Sequence, residues 1–249
     1  MTMKFVRTFI AVALVSIAFL GCKEAEVTEG YLRLNTAANW DGTPLVIGDV
    51  YTDVMNRPIL VEQFRTYISN VSVMDSEGVE HPLKGVEQLN FNAPWSFDFW
   101  LPAGNYTQLK FAIGVPASLN TDVDPASYPN DNPLSIFGAE GMFWTWASGY
   151  IFTKFEGKTA FDGDATSMTN SYAFHVGTDQ FYQEHIFAID FEIGEEREDL
   201  TIEFDADKFL FNADDTIDLA EDNLTHTMDN MPLAMRFMEL YNSAIRVKK

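Results

Sequence analysis

The sequence predicts an all-β fold, an antiparallel β-sandwich of Greek-key type with long loops and one C-terminal helix. Several segments alternate apolar and polar residues, which is typical of strands that are buried on one face. Gly, Pro and Asn residues separate these segments, and this pattern favours an antiparallel sandwich over a parallel α/β sheet. The chain has 249 residues, of which 47% are hydrophobic, so it is long enough for a domain with a proper core.

The first 22 residues have the features of a secretory signal. Lys4 and Arg7 precede an apolar run that ends at Cys22 and is shorter than a membrane-spanning helix. The letters AFLGC resemble a bacterial lipobox, in which the cysteine is lipidated and becomes the new N-terminus. We therefore expect a lipoprotein of the bacterial cell envelope, anchored to the outer membrane on its periplasmic or surface face. The predicted organisation is a signal peptide over 1–21, a lipidated tether over 22–30 and a single domain over 31–249.

Charge and cysteine content exclude several classes of protein. The chain has 16 Lys+Arg and 37 Asp+Glu, a formal net charge of -21, which argues against nucleic-acid binding. A single cysteine excludes an internal disulfide framework and a multi-thiolate metal site. If Cys22 is acylated, a soft metal bound by the domain must use His, Met or an unusual donor.

The alternating segments predict the strands and two of their connections. PAGN joins the apolar runs over 95–101 and 109–113 as a turn, and the charged GEERE joins those over 187–193 and 200–204, so both pairs are expected to be antiparallel hairpins. A Pro-, Asn- and Asp-rich stretch over 118–138 is expected to be a long ordered loop. The predicted strands cover 31–34, 64–74, 95–101, 109–113, 150–155, 171–176, 187–193 and 200–204.

A helical period replaces the alternation over 231–246. Asp229 or Asn230 can cap this helix, and Pro232 suits its first turn. We expect the helix to pack across one end or face of the sheets. Its apolar face consists of Leu233, Phe237, Leu240, Tyr241, Ala244 and Ile245.

The segment GMFWTWASGYIFTKFEG, over 141–157, is the most informative part of the sequence. Trp144 and Trp146 are two residues apart, so both point to the same side of an extended segment, as does Met142. Composition alone favours a tightly packed core strand here.

Five blocks of the sequence resemble the MbnP family of copper-binding periplasmic or lipid-anchored proteins. They are MFWTWASGYIF, the upstream QFRTYISNVSVMDSEG and LPAGNYTQLKFAIGV, and the downstream AFHVG and HTMDNMPLAM. The blocks occur in the family's order over about 31–245, and five agreeing blocks are far more specific than one Trp-x-Trp pair.

The resemblance implies a β-rich copper protein related to the MopE and CorA type. Those proteins hold copper with two histidine nitrogens and a kynurenine made by oxidising a tryptophan. In MbnP systems a diheme peroxidase of the MauG type, similar to cytochrome c peroxidases, performs that oxidation. Carried over, Trp144 and Trp146 are the candidates for oxidation and His175 in FHVG is a copper ligand. MopE-like sites have the pattern Trp-x-His, whereas this chain has Trp146 at the third position, so the second imidazole stays open.

The chain has four histidines, so three besides His175 can supply the second imidazole. His226 lies just before the C-terminal helix, beside Met228, and is the preferred choice. His185, which opens a predicted strand, and Met228 are secondary candidates, and His81 is expected to be a solvated loop residue. Imidazole and thioether both suit Cu(I), and imidazole suits Cu(II). We therefore expect His175 and His226, with Met142 or a modified tryptophan, to bind copper without any catalytic group, so the protein is not expected to be an enzyme.

Two alternatives remain open on the sequence alone. The acidic segments over 205–222 and 162–164 offer oxygen ligands for calcium, although neither has the EF-hand spacing. The second alternative is a surface β-sandwich lipoprotein that binds a carbohydrate or a protein without metal, using Trp40, Trp95 or Trp100. No nucleophile elbow, metalloprotease motif or Walker loop is present in the sequence.

Overall fold

The computed structural model describes residues 28–93, 95–145 and 149–249. The predicted signal peptide, Cys22 and Trp146 therefore lie outside the described residues. The strands are β1 (Glu29–Trp40), β2 (Thr43–Pro44), β3 (Val50–Thr52), β4 (Pro58–Asp75), β5 (Glu80–Asn90), β6 (Trp95–Pro102), β7 (Gly104–Ile113), β8 (Phe143–Thr145), β9 (Gly149–Thr159), β10 (Asn170–Gly177), β11 (Gln183–Ile193), β12 (Glu198–Asp205), β13 (Leu224–Thr225) and β14 (Ile245–Lys248). The helices are α1 (Ala117–Asn120) and α2 (Met231–Ser243), with short 3-10 turns at Pro125–Ser127, Asp179–Phe181 and Ala206–Phe209.

The strands form two sheets that share one core, which confirms the predicted β-sandwich. The first sheet has the order β14-β12-β1-β2, with β6 also paired to β1. The second has the order β11-β7-β4-β9-β10-β13, with β3 and β5 paired to β4 and β8 paired to β9. The pairings between these strands are antiparallel except for β1 with β12 and β10 with β13, which are parallel.

The long strand β4 is the central strand of the second sheet. Along one edge it pairs first with β9, over 59–66, and then with β7, over 68–75. Along the other edge it pairs first with β3, over 58–60, and then with β5, over 65–74. The branch β9-β10-β13 and the branch β7-β11 therefore leave the same edge of β4 at different heights.

Aromatic side chains fill the core between the sheets and α2. The Phe209 ring lies 5.1 Å from that of Phe64, 5.3 Å from Phe155 and 4.7 Å from Tyr241 of α2. Such centroid distances are in the favourable range for aromatic pairs. Contacts from the second sheet, the 3-10 turn at Ala206–Phe209 and the helix thus converge on one cluster.

The helix α2 confirms the predicted C-terminal helix and its cap. The Asn230 side chain accepts a hydrogen bond from the backbone N–H of Leu233, and Pro232 lies in the first turn. The predicted end at residue 246 is wrong, because the helix ends at Ser243 and β14 follows. Apolar Ile245 and Val247 alternate with charged residues and pair with β12, so the local period there is that of a strand.

Both predicted hairpins are wrong, because each connection crosses from one sheet to the other. β6 pairs with β1 while β7 pairs with β4 and β11. Likewise β11 pairs with β7, whereas β12 pairs with β1 and β14. Alternation shows which face of a strand is buried, and in a sandwich both sheets bury their inner faces, so it does not indicate the partner strand.

None of the helices in the described part of the chain is both long and apolar enough to span a membrane.

Candidate metal centre

The structure brings together His175 of β10 and His226, which directly follows β13. β10 and β13 run parallel, with Phe174 opposite Thr225. One residue further along the chain in each case, the His175 and His226 rings meet with centroids 5.0 Å apart and planes at 78°. Two histidines that are 51 positions apart in the sequence thus form one site.

His175 lies on the face of β10 that points away from the core, because Phe174 points inward and stacks on Phe237 of α2. The His175 Nε2 atom is 2.7 Å from the Oε2 atom of Glu156 on β9. This hydrogen bond is the main reason why the pKa of the Glu156 carboxyl lies below its ordinary value, against the opposing effect of burial. The Lys154 ammonium, 3.3 Å from Glu156 Oε1, acts in the same direction.

His226 is held in a similar way by Asp229. The His226 Nδ1 atom is 2.9 Å from Asp229 Oδ2, and the His226 backbone N–H donates to Asp229 Oδ1 at 2.7 Å. Burial raises the pKa of Asp229, but the hydrogen bonds from the side chain and backbone of His226 outweigh it, and the pKa is lowered.

Each imidazole therefore has one ring nitrogen against a carboxylate. A metal-binding histidine typically uses such a carboxylate to set its tautomer and orientation, and binds the metal with its other nitrogen. The nitrogens available to a metal are Nδ1 of His175 and Nε2 of His226. The half-exposed His226 ring gives solvent access to the pair.

Thr227 fastens the His226 loop to β10. Its hydroxyl donates to the His175 carbonyl at 3.0 Å and accepts from the Gly177 N–H at 3.1 Å. Thr227 is fully buried and has φ 69, an outlying value for a β-branched residue. Such strain costs on the order of 1–3 kcal/mol and persists where the surrounding contacts determine the conformation.

Trp144 packs against the core near the end of β10. It is half-buried on β8, which pairs with β9. A Cβ atom at Gly177 would lie 3.0 Å from Trp144 Cζ3 and 2.3 Å from the Tyr150 carbonyl oxygen. The indole therefore packs against β10 two residues beyond His175, and Gly177 is required by this close approach.

The other candidate ligands are placed differently. Met142 is fully buried in the core cluster. His185 lies on the core side of β11, where it stacks on Phe111 with ring centroids 5.5 Å apart. Its Nε2 is 3.0 Å from Asn242 Oδ1 of α2, and burial lowers the pKa of His185 despite that hydrogen bond. Neither residue is on the outer face that carries His175.

The two remaining residues are a histidine and an exposed methionine. His81, expected in a solvated loop, lies instead in β5, with Nε2 2.8 Å from Asp75 Oδ2. Met228 is 74% exposed and follows His226 by two residues. Its backbone N–H donates to the His226 carbonyl at 2.9 Å, so Met228 belongs to the same loop as the histidine pair.

Carboxylates of the acidic segments already accept hydrogen bonds from other residues of the chain. Both carboxylate oxygens of Asp215 accept from Arg236, and Asp218 accepts from Arg57. Asp164 accepts from the backbone and hydroxyl of Thr166. Within the described residues, no three His, Cys, Asp or Glu side chains are grouped as a metal site. A metal at the His175–His226 pair therefore needs a donor of another kind.

The tryptophans of the carbohydrate alternative differ in exposure. Trp40 is buried, with its indole N–H donating to the Thr52 carbonyl. Trp95 is half-buried and donates to the Asn90 carbonyl at 3.1 Å. Trp100 is 71% exposed and makes an edge contact with Tyr31.

Sequence reasoning missed the residues that support the pair. Asp229 was considered as a helix cap, although its spacing of three residues from His226 also allows it to hold that ring. Glu156 and Gly177 had no local signal, because their roles depend on which strands pair. The strained conformation of Thr227 has no signature in the letters of the sequence.

Comparisons with known proteins agree with this fold. The family model of MbnP matches residues 29–230. The solved structure of MbnP from Methylosinus trichosporium aligns with a TM-score of 0.50 and 17% identity, covering 77% of this chain and 80% of that chain. This structural likeness supports the fold. No curated protein matches the sequence.

Proposed function

Since the chain belongs to the MbnP family, we propose that it is an extracytoplasmic copper-binding protein that stores, scavenges or passes on copper. The observation that carries this proposal is the His175–His226 pair, with ring centroids 5.0 Å apart and a carboxylate on each ring. Two oriented neutral imidazoles suit copper in either common oxidation state.

The donor chemistry fits copper better than a hard cation. Glu156 and Asp229 are engaged in hydrogen bonds to the two rings, so imidazole nitrogens are the donors that we propose for the metal. Calcium prefers several oxygen ligands, and the acidic side chains Asp215 and Asp218 are already paired with arginines. We therefore propose copper as the metal of this site.

Trp144 is the proposed source of the third donor. It packs against Gly177, two residues beyond His175. Oxidation of its indole to kynurenine, by a diheme peroxidase of the MauG type, supplies an aniline nitrogen and a ketone oxygen. Trp146 is the alternative position for this oxidation and lies outside the described residues.

The N-terminal sequence supports a proposal for the location of the protein. We propose that lipidated Cys22 anchors it to the outer membrane of a bacterial cell envelope. A lipid-anchored copper protein acts outside the cytoplasm, where the metal can be captured or handed over. No catalytic step is part of this proposal.

The first experiment is a Cu(II) titration followed by electron paramagnetic resonance. His175→Ala and His226→Ala are compared with His81→Ala, a matched control whose ring is also paired with a carboxylate. We expect nitrogen hyperfine structure and stoichiometric Cu(II) in the wild type and in His81→Ala, with binding at least about tenfold weaker in the two site variants. Equal binding in all four proteins would overturn the assignment of the site.

The second experiment tests the modified tryptophan. Peptide mass spectrometry on protein from its native cells is expected to find that the 141–154 peptide has gained an oxygen and lost a carbon, as kynurenine formation requires. If Trp144 and Trp146 are unmodified and Cu(II) still binds, the histidine site is supported and the oxidation of a tryptophan is refuted. If neither Cu(II) binding nor the mass change of kynurenine is found, the ligand-binding alternative at the exposed Trp100 face is favoured.

A further inference from the structure

Methionines are concentrated next to His226. Four of the ten methionines lie within 228–238. Met228 is 74% exposed and Met235 is 54% exposed, whereas Met238 of the same helix is buried in the core. Methionine is among the residue types most often buried in folded proteins. Two large exposed thioether side chains beside a proposed metal site therefore call for an explanation.

The backbone places three of these side chains close together. Met231 and Met235 are one turn apart on α2, so their Cβ atoms are about 5–6 Å apart. Met231 packs partly against the core, whereas Met235 is exposed. Met228 precedes Met231 by three residues, and the Cα atoms of those two residues are at most about 11 Å apart. Hydrogen bonds hold the loop between them closed, because Thr225 Oγ1 donates to the Asn230 carbonyl at 3.0 Å.

Flexible side chains can complete this arrangement around an ion. Methionine has three rotatable bonds and an adaptable, polarizable sulfur. The Met231 sulfur is the most restrained of the three, since it accepts a weak hydrogen bond from Gln180 Nε2 at 3.8 Å. Exposed Met228 and Met235 have room to turn their sulfurs toward it. Thioethers select soft monovalent copper over hard cations.

We infer that Met228, Met231 and Met235 form a thioether site for a soft monovalent cation, Cu(I) or its analogue Ag(I), beside the His175–His226 pair. The role of this site, which is to receive copper before the imidazoles bind it, rests on the proposed function. The link between the two sites is short, because the Met228 N–H donates to the His226 carbonyl. No change in the oxidation state of copper is part of this inference.

The test uses Ag(I), which is stable in air, and protein with 13C-labelled methionine methyl groups. The variants are the triple change Met228→Leu, Met231→Leu, Met235→Leu and the double change His175→Ala, His226→Ala. A control triple, Met55→Leu, Met74→Leu, Met168→Leu, removes three methionines from other parts of the chain. Leucine for methionine nearly conserves volume, so folding is expected to survive, and circular dichroism checks it.

We expect Ag(I) to shift the methyl signals of the three clustered methionines and not those of Met55 and Met168. Ag(I) affinity is expected to fall about tenfold or more in the clustered triple and to stay unchanged in the control triple. The His175, His226 double variant is expected to keep the methionine shifts while losing Cu(II).

The outcomes separate the two hypotheses. Methionine signals that do not respond to Ag(I), with Cu(II) still bound by the imidazoles, would overturn the thioether site and leave the proposed function. Methionine shifts without any Cu(II) binding would leave the thioether site and remove the imidazole site. Loss of Ag(I) binding in the histidine variant alone would assign the soft cation to the imidazoles and refute the inference.

Discussion

The hydroxyl of Thr227 donates a hydrogen bond to the backbone carbonyl of His175 at 3.0 Å. The same oxygen accepts the Gly177 N–H at 3.1 Å. This one buried side chain thereby connects the loop of one histidine to the strand of the other.

Thr227→Val is expected to destabilise the protein by about 1–3 kcal/mol, because it leaves the buried Gly177 N–H without its acceptor. Valine keeps the β-branch and its backbone strain, so the change isolates the hydroxyl. Urea unfolding measures the stability, and a Cu(II) titration of the folded protein is expected to show weaker binding. Thr227→Ser retains the hydroxyl and is the control. Equal losses in both variants would contradict the role given to the hydrogen bonds.

Gly177→Ala is expected to cost about 1–3 kcal/mol through overpacking, since the new methyl group would lie 2.3 Å from the Tyr150 carbonyl oxygen. The displaced strand would also shift Trp144, and tryptophan fluorescence is the measurement that detects this change. Gly85→Ala is the matched control, because a Cβ atom there meets nothing within 4 Å. Wild-type fluorescence and stability in Gly177→Ala would refute the close packing of the indole on β10.

His185 is expected to make stability fall in mildly acidic solution. Burial lowers the pKa of His185 in the folded state, whereas the unfolded chain protonates near pH 6.5. Below that pH the unfolded state binds more protons, so the free energy of unfolding falls as the pH decreases toward the folded pKa. His185→Phe keeps the stack on Phe111 and removes the imidazole whose protonation lowers the stability. The urea midpoint is expected to depend less on pH in the variant between about pH 6.5 and pH 5.5, a range above the ordinary pKa of Asp and Glu side chains. An unchanged slope would exclude His185 as the cause.

Arg57→Met is expected to destabilise the protein by about 3–5 kcal/mol, because it leaves the buried Asp53 carboxylate without its guanidinium partner. Asp218 on the neighbouring acidic loop loses the same partner. Thermal unfolding compares this variant with Arg33→Met, which breaks the more exposed pair with Asp98 and is expected to lower the stability far less, because water screens exposed ion pairs. Similar costs for both changes would show that burial of Arg57 adds nothing.

Local patterns predicted the elements of this fold better than their partners. The alternation in 187–193 and 200–204 indicated buried faces, and those segments are strands. The same alternation contains no information about which sheet a strand joins, and both predicted hairpins failed for that reason. The cap at Asn230 was predicted because a helix cap depends on only a few neighbouring residues.

The site was predictable only in part for a similar reason. His175 and His226 were chosen from blocks that resemble a family, and their proximity depends on the two-residue strand β13, which no periodic pattern announces. Glu156 is one of several outward charges on β9, and only the register of β9 with β10 distinguishes it. Contacts between distant segments carry this information, so reading one segment at a time cannot recover it.

The position of β4 has a consequence for how the molecule unfolds. Its 18 residues hold the branch with the histidine pair at one height and the branch with His185 at another. If either branch detached, backbone groups along part of the edge of β4 would lose their partners. The other branch is paired with that same strand. We therefore expect the amides of β4 to exchange with deuterium only through global unfolding, and the two branches to lose protection together as one cooperative unit.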